Sequence, residues 1–154
     1  MNRCSIALGL VLPVLLAAGC TKGSDTNSST KTVTTTQAGA SAQPAASARM
    51  ASGMTVYKAN CATCHGAQGA GQTGAFPPLD GNGVVTGDPK VVIRIVKLGL
   101  TGPVRMKGVM YNGQMPAWNG TLTNDQIASV LTYIRGSWSN AAGPVTAADV
   151  AAAK

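Results

Sequence analysis

Residues Cys61-Ala62-Thr63-Cys64-His65 form a C-x-x-C-H run. Few kinds of chemistry want two thiols followed at once by an imidazole. Three positions apart on a helical turn, the thiols share one face, and the next residue presents its ring nitrogen beside them. The arrangement suits two thioether bonds to one porphyrin with His65 on its iron, the attachment signature of c-type haem. A thioredoxin-like redox pair or half of a zinc site also uses C-x-x-C. No second Cys pair or His follows to complete a zinc set, and no βαβ pattern surrounds the motif. One covalent haem is the expected cofactor.

The iron then needs a sixth ligand. His65 is the single histidine of the chain, so a methionine thioether is the natural donor. Met54 stands too close to the attachment turn to cross to the other face of the ring. Met106 and Met110 fall in a stretch whose alternate side chains can simply pack. Met115 lies in Tyr111-Asn112-Gly113-Gln114-Met115-Pro116, where Gly113 and Pro116 mark a loop without regular structure. A loop can carry a side chain over the ring, which makes Met115 the expected donor.

The elements that must position these residues read as helices. Residues 52–60 are expected to run as a short helix into the motif. Asp88 and Pro89 are an N-cap and a first helical residue, and Val92, Ile95, Val96 and Gly99 follow at helical spacing. The β-branched run Val91-Val92-Ile93 would fit a strand, but the Asp-Pro start and Gly99 stop favour a helix. Residues 101–112 read as a loop or small hairpin. Thr123 and Gln126 form a capping box that opens another helix, with Ile127, Val130, Leu131, Ile134 and Trp138 as its apolar face. Thr146 to Lys154 is expected as a short terminal helix. The fold class is therefore all-α, with three to five helices around one covalent haem.

Composition separates a tail from a domain. The N-terminus has a basic head at Arg3 and an apolar run from Ile6 to Ala18, the length of a signal-peptide core and short for a membrane span. Cys20 follows Leu15-Leu16-Ala17-Ala18-Gly19, which resembles a bacterial lipobox. Residues 1–19 are thus expected to be removed and Cys20 to be lipidated, although ordinary cleavage nearby would also suit the small residues. Residues 21–50 are mostly Ser, Thr, Ala and Gly, too poor in large apolar side chains to offset their ordering entropy. They read as a flexible linker with a root-mean-square span of roughly 30 Å. The domain is expected over 51–154. With Cys4 in the leader, no pair is left for a structural disulfide.

The formal charge of the whole chain is +7. Within 51–154, eight basic residues face four acidic ones, and five of the basic ones (Lys90, Arg94, Lys97, Arg105 and Lys107) fall between 90 and 107. Nucleic acid is not the expected partner of an exported haem domain. The basic run suits either docking of an acidic redox partner or a merely solvated surface.

The motif at 61–65, the Ala75-Phe76-Pro77-Pro78-Leu79 run, the Met115 loop through Ala117-Trp118 and the closing helix from Leu122 to Ile134 together resemble class I c-type cytochromes over about residues 51–140. The resemblance implies that Cys61 and Cys64 bind haem c, that His65 and Met115 are the axial ligands, and that the Pro77 carbonyl accepts a hydrogen bond from the His65 ring. It implies that Gly53 and Tyr57 pack where the first helix crosses the last, near Tyr133. Trp118 would shield or bond a propionate, or serve as a core aromatic. Leu98-Gly99-Leu100-Thr101-Gly102-Pro103 and the Gly108-to-Tyr111 segment are similar to cytochromes that feed terminal haem-copper oxidases. The implied function is a non-enzymatic electron carrier of a respiratory chain, lipid-anchored on the periplasmic side of a bacterial membrane. The alternatives are a haem enzyme or gas sensor with a dissociable Met, and a dedicated partner of a periplasmic dehydrogenase or nitrite reductase.

Overall fold

The computed structural model describes residues 42–154. The leader, Cys20 and the first part of the linker lie outside the described residues. Six helical segments and one hairpin follow in order: α1 (Ala42–Asn60), α2 (Ala62–His65), α3 (Gly83–Thr86), α4 (Pro89–Leu98), β1 (Val104–Met106), β2 (Val109–Tyr111), α5 (Asn124–Arg135) and α6 (Ala147–Ala152). The helical count exceeds the expected three to five because α2 and α3 are single turns of four residues each. Among the described residues, no helix is long and apolar enough to cross a membrane.

Helix α1 starts about ten residues before the expected position, inside the stretch read as linker. Its first half is alanine-rich, and alanine is the strongest helix former. Tertiary contacts hold its middle, since the Arg49 guanidinium donates to the Val145 carbonyl at 3.2 Å. Helices α1 and α5 make the most extensive pairing of the fold. They meet at Gly53, where a Cβ would collide with the Ser129 carbonyl and with the Cβ of Tyr133. Tyr57, one turn on, is fully buried, with its ring centroid 5.5 Å from that of Tyr133 and 5.4 Å from that of Trp138.

Local signals start α4 and α5, and stop α4, as expected. The Asp88 carboxylate accepts from the Lys90 N–H at 2.9 Å, and Gly99 ends α4 with φ 76°. The capping box of α5 is complete: the Thr123 N–H donates to Gln126 Oε1 at 2.9 Å and the Gln126 N–H to Thr123 Oγ1 at 3.2 Å. A second capping box, Thr146 with Asp149, opens α6. Residues 101–112 contain the antiparallel hairpin, registered Val104 to Tyr111 and Met106 to Val109. Its turn places Lys107 at φ 48° and Gly108 at φ 82°, the left-handed pair that two-residue hairpin turns require.

The core forms where α4, α5 and α6 meet: Val92, Ile93, Val96, Ile127, Leu131, Val145 and Val150 are buried together. A second cluster joins Tyr57, Val85, Val130 and Ile134. Trp138 is not on α5 as expected. The helix stops at Arg135, and Trp138, at φ 58°, folds back onto Tyr57 and Tyr133.

Candidate haem site

An apolar cleft with about 1260 Å³ of empty space, its open mouth included, lies between α2, α4, α5 and the hairpin. Cys61, Cys64, His65, Met106 and Met115 all line it, and Val96, Leu100, Val130, Leu131 and Ile134 supply apolar wall. Each donor is delivered by a segment the backbone ties down.

Cys61 closes α1 with its N–H on the Tyr57 carbonyl at 2.8 Å, and the Cys64 and His65 N–H groups turn back onto the Cys61 carbonyl. This single turn brings both thiols to the rim. Burial, then the neighbouring Cys64, pushes the Cys61 thiol up to about 11. A dithiol redox pair needs the opposite shift, so the thioredoxin-like reading fits poorly. No group of three or more metal-ligating side chains exists among the described residues, which leaves the zinc reading without ligands.

The chain then loops through 66–79, pinned by the Leu79 N–H on the Gly69 carbonyl at 2.7 Å. The loop returns Pro77 beneath the histidine, with His65 Nδ1 3.0 Å from the Pro77 carbonyl. A carbonyl can only accept, so Nδ1 carries the proton and Nε2 keeps its lone pair. Nε2 makes no hydrogen bond among the described residues, and the cleft reaches the ring. Burial pushes the His65 pKa below its ordinary value, against a smaller opposing effect of the Pro77 bond, and favours the neutral ring. A neutral, oriented imidazole is what a metal requires.

Met115 is held on two sides. The Leu100 and Met115 backbones exchange hydrogen bonds at 3.0 Å each way, and the Gly113 N–H donates to the Ala75 carbonyl at 2.8 Å. Gly99 and Gly113 permit this closeness, because a Cβ at Gly99 would strike the Met115 carbonyl and one at Gly113 the Ala75 carbonyl. The other methionines separate. Met54 and Met110 are exposed, whereas Met106 turns from the hairpin into the same cleft. Trp118 also lines the cleft and packs against the α4–α5 core, so it is at least a core aromatic.

Two buried polar residues support the site without any sequence signal. Asn140 donates to the Leu79 and Ile134 carbonyls at 3.0 and 2.9 Å and accepts from the Gly81 N–H at 3.0 Å, tying the Pro77 loop to the end of α5. Arg135 is 5 % exposed, and its guanidinium donates to the Val85, Gly87 and Gly143 carbonyls. Lys97 likewise leaves the basic run of 90–107: its ammonium caps α6 through the Val150 and Ala153 carbonyls at 2.9 and 2.5 Å.

Two thiols at a rim, one ring nitrogen with a free lone pair, thioethers and apolar walls fit a covalent haem. Known proteins agree. The family model for subunit III of cbb3-type cytochrome c oxidase matches residues 48–134. Cytochrome c-552 of Thermus thermophilus is 38 % identical over 95 residues, which cover 59 % of this chain and 71 % of that protein. The cytochrome c subunit of the quinone alcohol dehydrogenase of Komagataeibacter europaeus is 40 % identical over 100 residues, 64 % of this chain but only 21 % of that subunit. Cytochrome c6 of Tetradesmus obliquus is 32 % identical over 93 residues, 57 % of this chain and 90 % of that protein. The attachment motif, the helical frame around the cleft and a family match over more than half its length show that the chain belongs to the class I c-type cytochromes, electron carriers with covalently bound haem c.

Proposed function

We propose that this chain is a periplasmic, membrane-tethered monohaem electron carrier, attached to its haem through Cys61 and Cys64 and ligating the iron through His65 and Met115. The observation that carries this reading is one apolar cleft lined by an imidazole with a free Nε2 and by a thioether whose loop is pinned on both sides. When bound, haem c supplies a reversible one-electron couple. The Pro77 carbonyl fixes the His65 ring and raises its basicity. Met115 and the apolar walls favour the reduced state and a high potential. His65 and Met115 would hold the iron between them, which would leave no position for oxygen or peroxide. Among the described residues lining the cleft there is no carboxylate and no second imidazole to serve an enzyme as acid or base. The reduced full chain should therefore show no Soret shift under carbon monoxide. Ready binding would favour an enzyme or sensor with a dissociable Met.

The oxidase side of the family match supports a terminal oxidase as electron acceptor. A second reading is favoured by the 40 % identity to dehydrogenase cytochrome subunits, in which a periplasmic dehydrogenase is the donor and this chain its dedicated acceptor. The chemistry is the same and the partner differs. Cyanide-sensitive oxidation of the reduced chain by respiratory membranes supports the first reading, and its absence moves the reading to the second.

The tether rests on Cys20 behind the apolar leader. Two or more acyl chains anchor stably, and a linker of this length lets the domain search tens of ångströms at high effective concentration, roughly as chain statistics give. Cys20→Ser should leave the haem spectrum intact and release the domain into the soluble periplasmic fraction. An unmodified mature N-terminus by mass spectrometry would remove the tether alone.

A further inference from the structure

Helix α4 buries Val92, Ile93 and Val96, as an amphipathic helix should, and its outer face sets two exposed apolar side chains among the cations Lys90 and Arg94. Val91 and Leu98 are 47 % and 54 % exposed, the most exposed of the large apolar side chains among the described residues. Seven positions apart, they stand on one stripe about 10 Å long. A surface groove runs along it past Lys90, Arg94, Ile95 and Leu98 to Leu100. The one acidic group on its border, Asp88, is engaged as the cap of Lys90. The groove is therefore an apolar strip edged by two cations.

Its position connects it with the haem site. Ile95 and Leu100 line both this groove and the cleft. Leu100 is also the residue whose backbone exchanges hydrogen bonds with Met115. A partner seated in the groove is thus separated from the cleft by one layer of side chains, on the flank that carries Met115.

We propose that this groove is a docking face for an acidic redox protein whose apolar contact residues are rimmed by Asp or Glu. The inference rests on the electron-carrier reading. Charge decides among occupants. A second copy in a symmetric pair would set Lys90 and Arg94 of each protomer against the same strip. An anionic membrane calls for a cluster of about four to eight basic residues, and this strip has two. An acidic protein with an apolar centre matches both components. Of the basic residues between 90 and 107, the groove includes only Lys90 and Arg94: Lys97 caps α6, and Arg105 and Lys107 stand at the hairpin.

The test titrates the isotopically labelled, haem-loaded full chain with a reduced acidic blue-copper protein, both iron and copper being reduced. Amide shifts should concentrate on residues 88–100. The double change Lys90→Glu/Arg94→Glu should slow association about tenfold and flatten its salt dependence, since rim charges act on the encounter. Leu98→Asp should weaken binding about tenfold through the apolar centre. Met110→Asp, at an exposed hairpin position outside the groove, should bind as wild type. Shifts centred on the hairpin or the C-x-x-C-H turn, wild-type binding by Leu98→Asp, or shifts of the same amides by anionic vesicles but not by the copper protein would each overturn the proposal. The near-infrared sulfur-to-iron band, recorded on every sample, reports haem ligation independently. Its absence from the unmodified protein would count against the ligand assignment, whatever the docking result.

Discussion

Replacing Gly53 with alanine should destabilise this protein, although helix propensity alone gives the opposite sign. An alanine gains about 1 kcal/mol over glycine in a helix interior. The position does not allow that gain. The added Cβ would lie 2.7 Å from the Ser129 carbonyl carbon and 2.7 Å from the Tyr133 Cβ, and closer still to the Ser129 oxygen. Ordinary contact begins near 3.4 Å, so α1 and α5 must part by about 0.7 Å or more. Two of the three obstructing atoms are backbone and cannot rotate away. A radial gap of that order forfeits roughly a quarter to a half of each dispersion contact across the seam, and overpacking of this kind costs about 3 kcal/mol. The net loss is about 2 kcal/mol, or a fall in Tm of about 10 °C for a domain of this size. Denaturant unfolding of the haem-loaded protein measures it, with Gly83→Ala as the control, because a Cβ there meets nothing within 4 Å. A Gly53→Ala protein as stable as the wild type would refute the crossing as described.

Arg135→Leu should cost about 2 kcal/mol in denaturant unfolding, because three carbonyls lose their donor, and the Val85 carbonyl is in a buried hydrogen bond. Arg135→Lys should recover less than half, since a single ammonium cannot reproduce the guanidinium fork; wild-type stability in the Leu variant would contradict the buried role. Burial, the largest cause, pushes the Tyr57 phenol up to about 12, so between pH 10 and 12 the unfolded chain has lost a proton that the folded chain keeps. Stability should accordingly be lost as pH rises through that window, by at most about 1.4 kcal/mol per pH unit. Tyr57→Phe should remove this part of the alkaline slope and, at neutral pH, lose about 1 kcal/mol with the hydrogen bond to the Gly66 carbonyl at 2.6 Å. An unchanged alkaline slope would contradict the assignment.

Features set by neighbours in sequence were legible before the structure. Asp88-Pro89 and Thr123-Gln126 act within one turn of the helices they open, and both cap as expected. The C-x-x-C-H turn is equally local. The beginning of α1 was hidden because an alanine-rich segment without large apolar residues resembles a linker until its contact with Val145 is seen. Arg135, Lys97 and Asn140 were hidden for another reason. Their carbonyl partners include residues about 50 to 60 positions away, and no spacing rule reaches that far. Trp138 fits the helical period but follows a glycine that ends the helix. The methionines are an intermediate case. Loop position singled out Met115, and the fold withdraws Met54 and Met110 to the surface while leaving Met106 at the cleft beside it.

That remaining pair makes the decisive comparison. The near-infrared sulfur-to-iron band of the oxidised, haem-loaded full chain should be present in the wild type, retained in Met106→Ala and lost in Met115→Ala, with the last variant alone gaining carbon monoxide binding when reduced. A band that survives in Met115→Ala and disappears in Met106→Ala would place the ligand on the hairpin and contradict the electron-carrier site described for the Met115 loop.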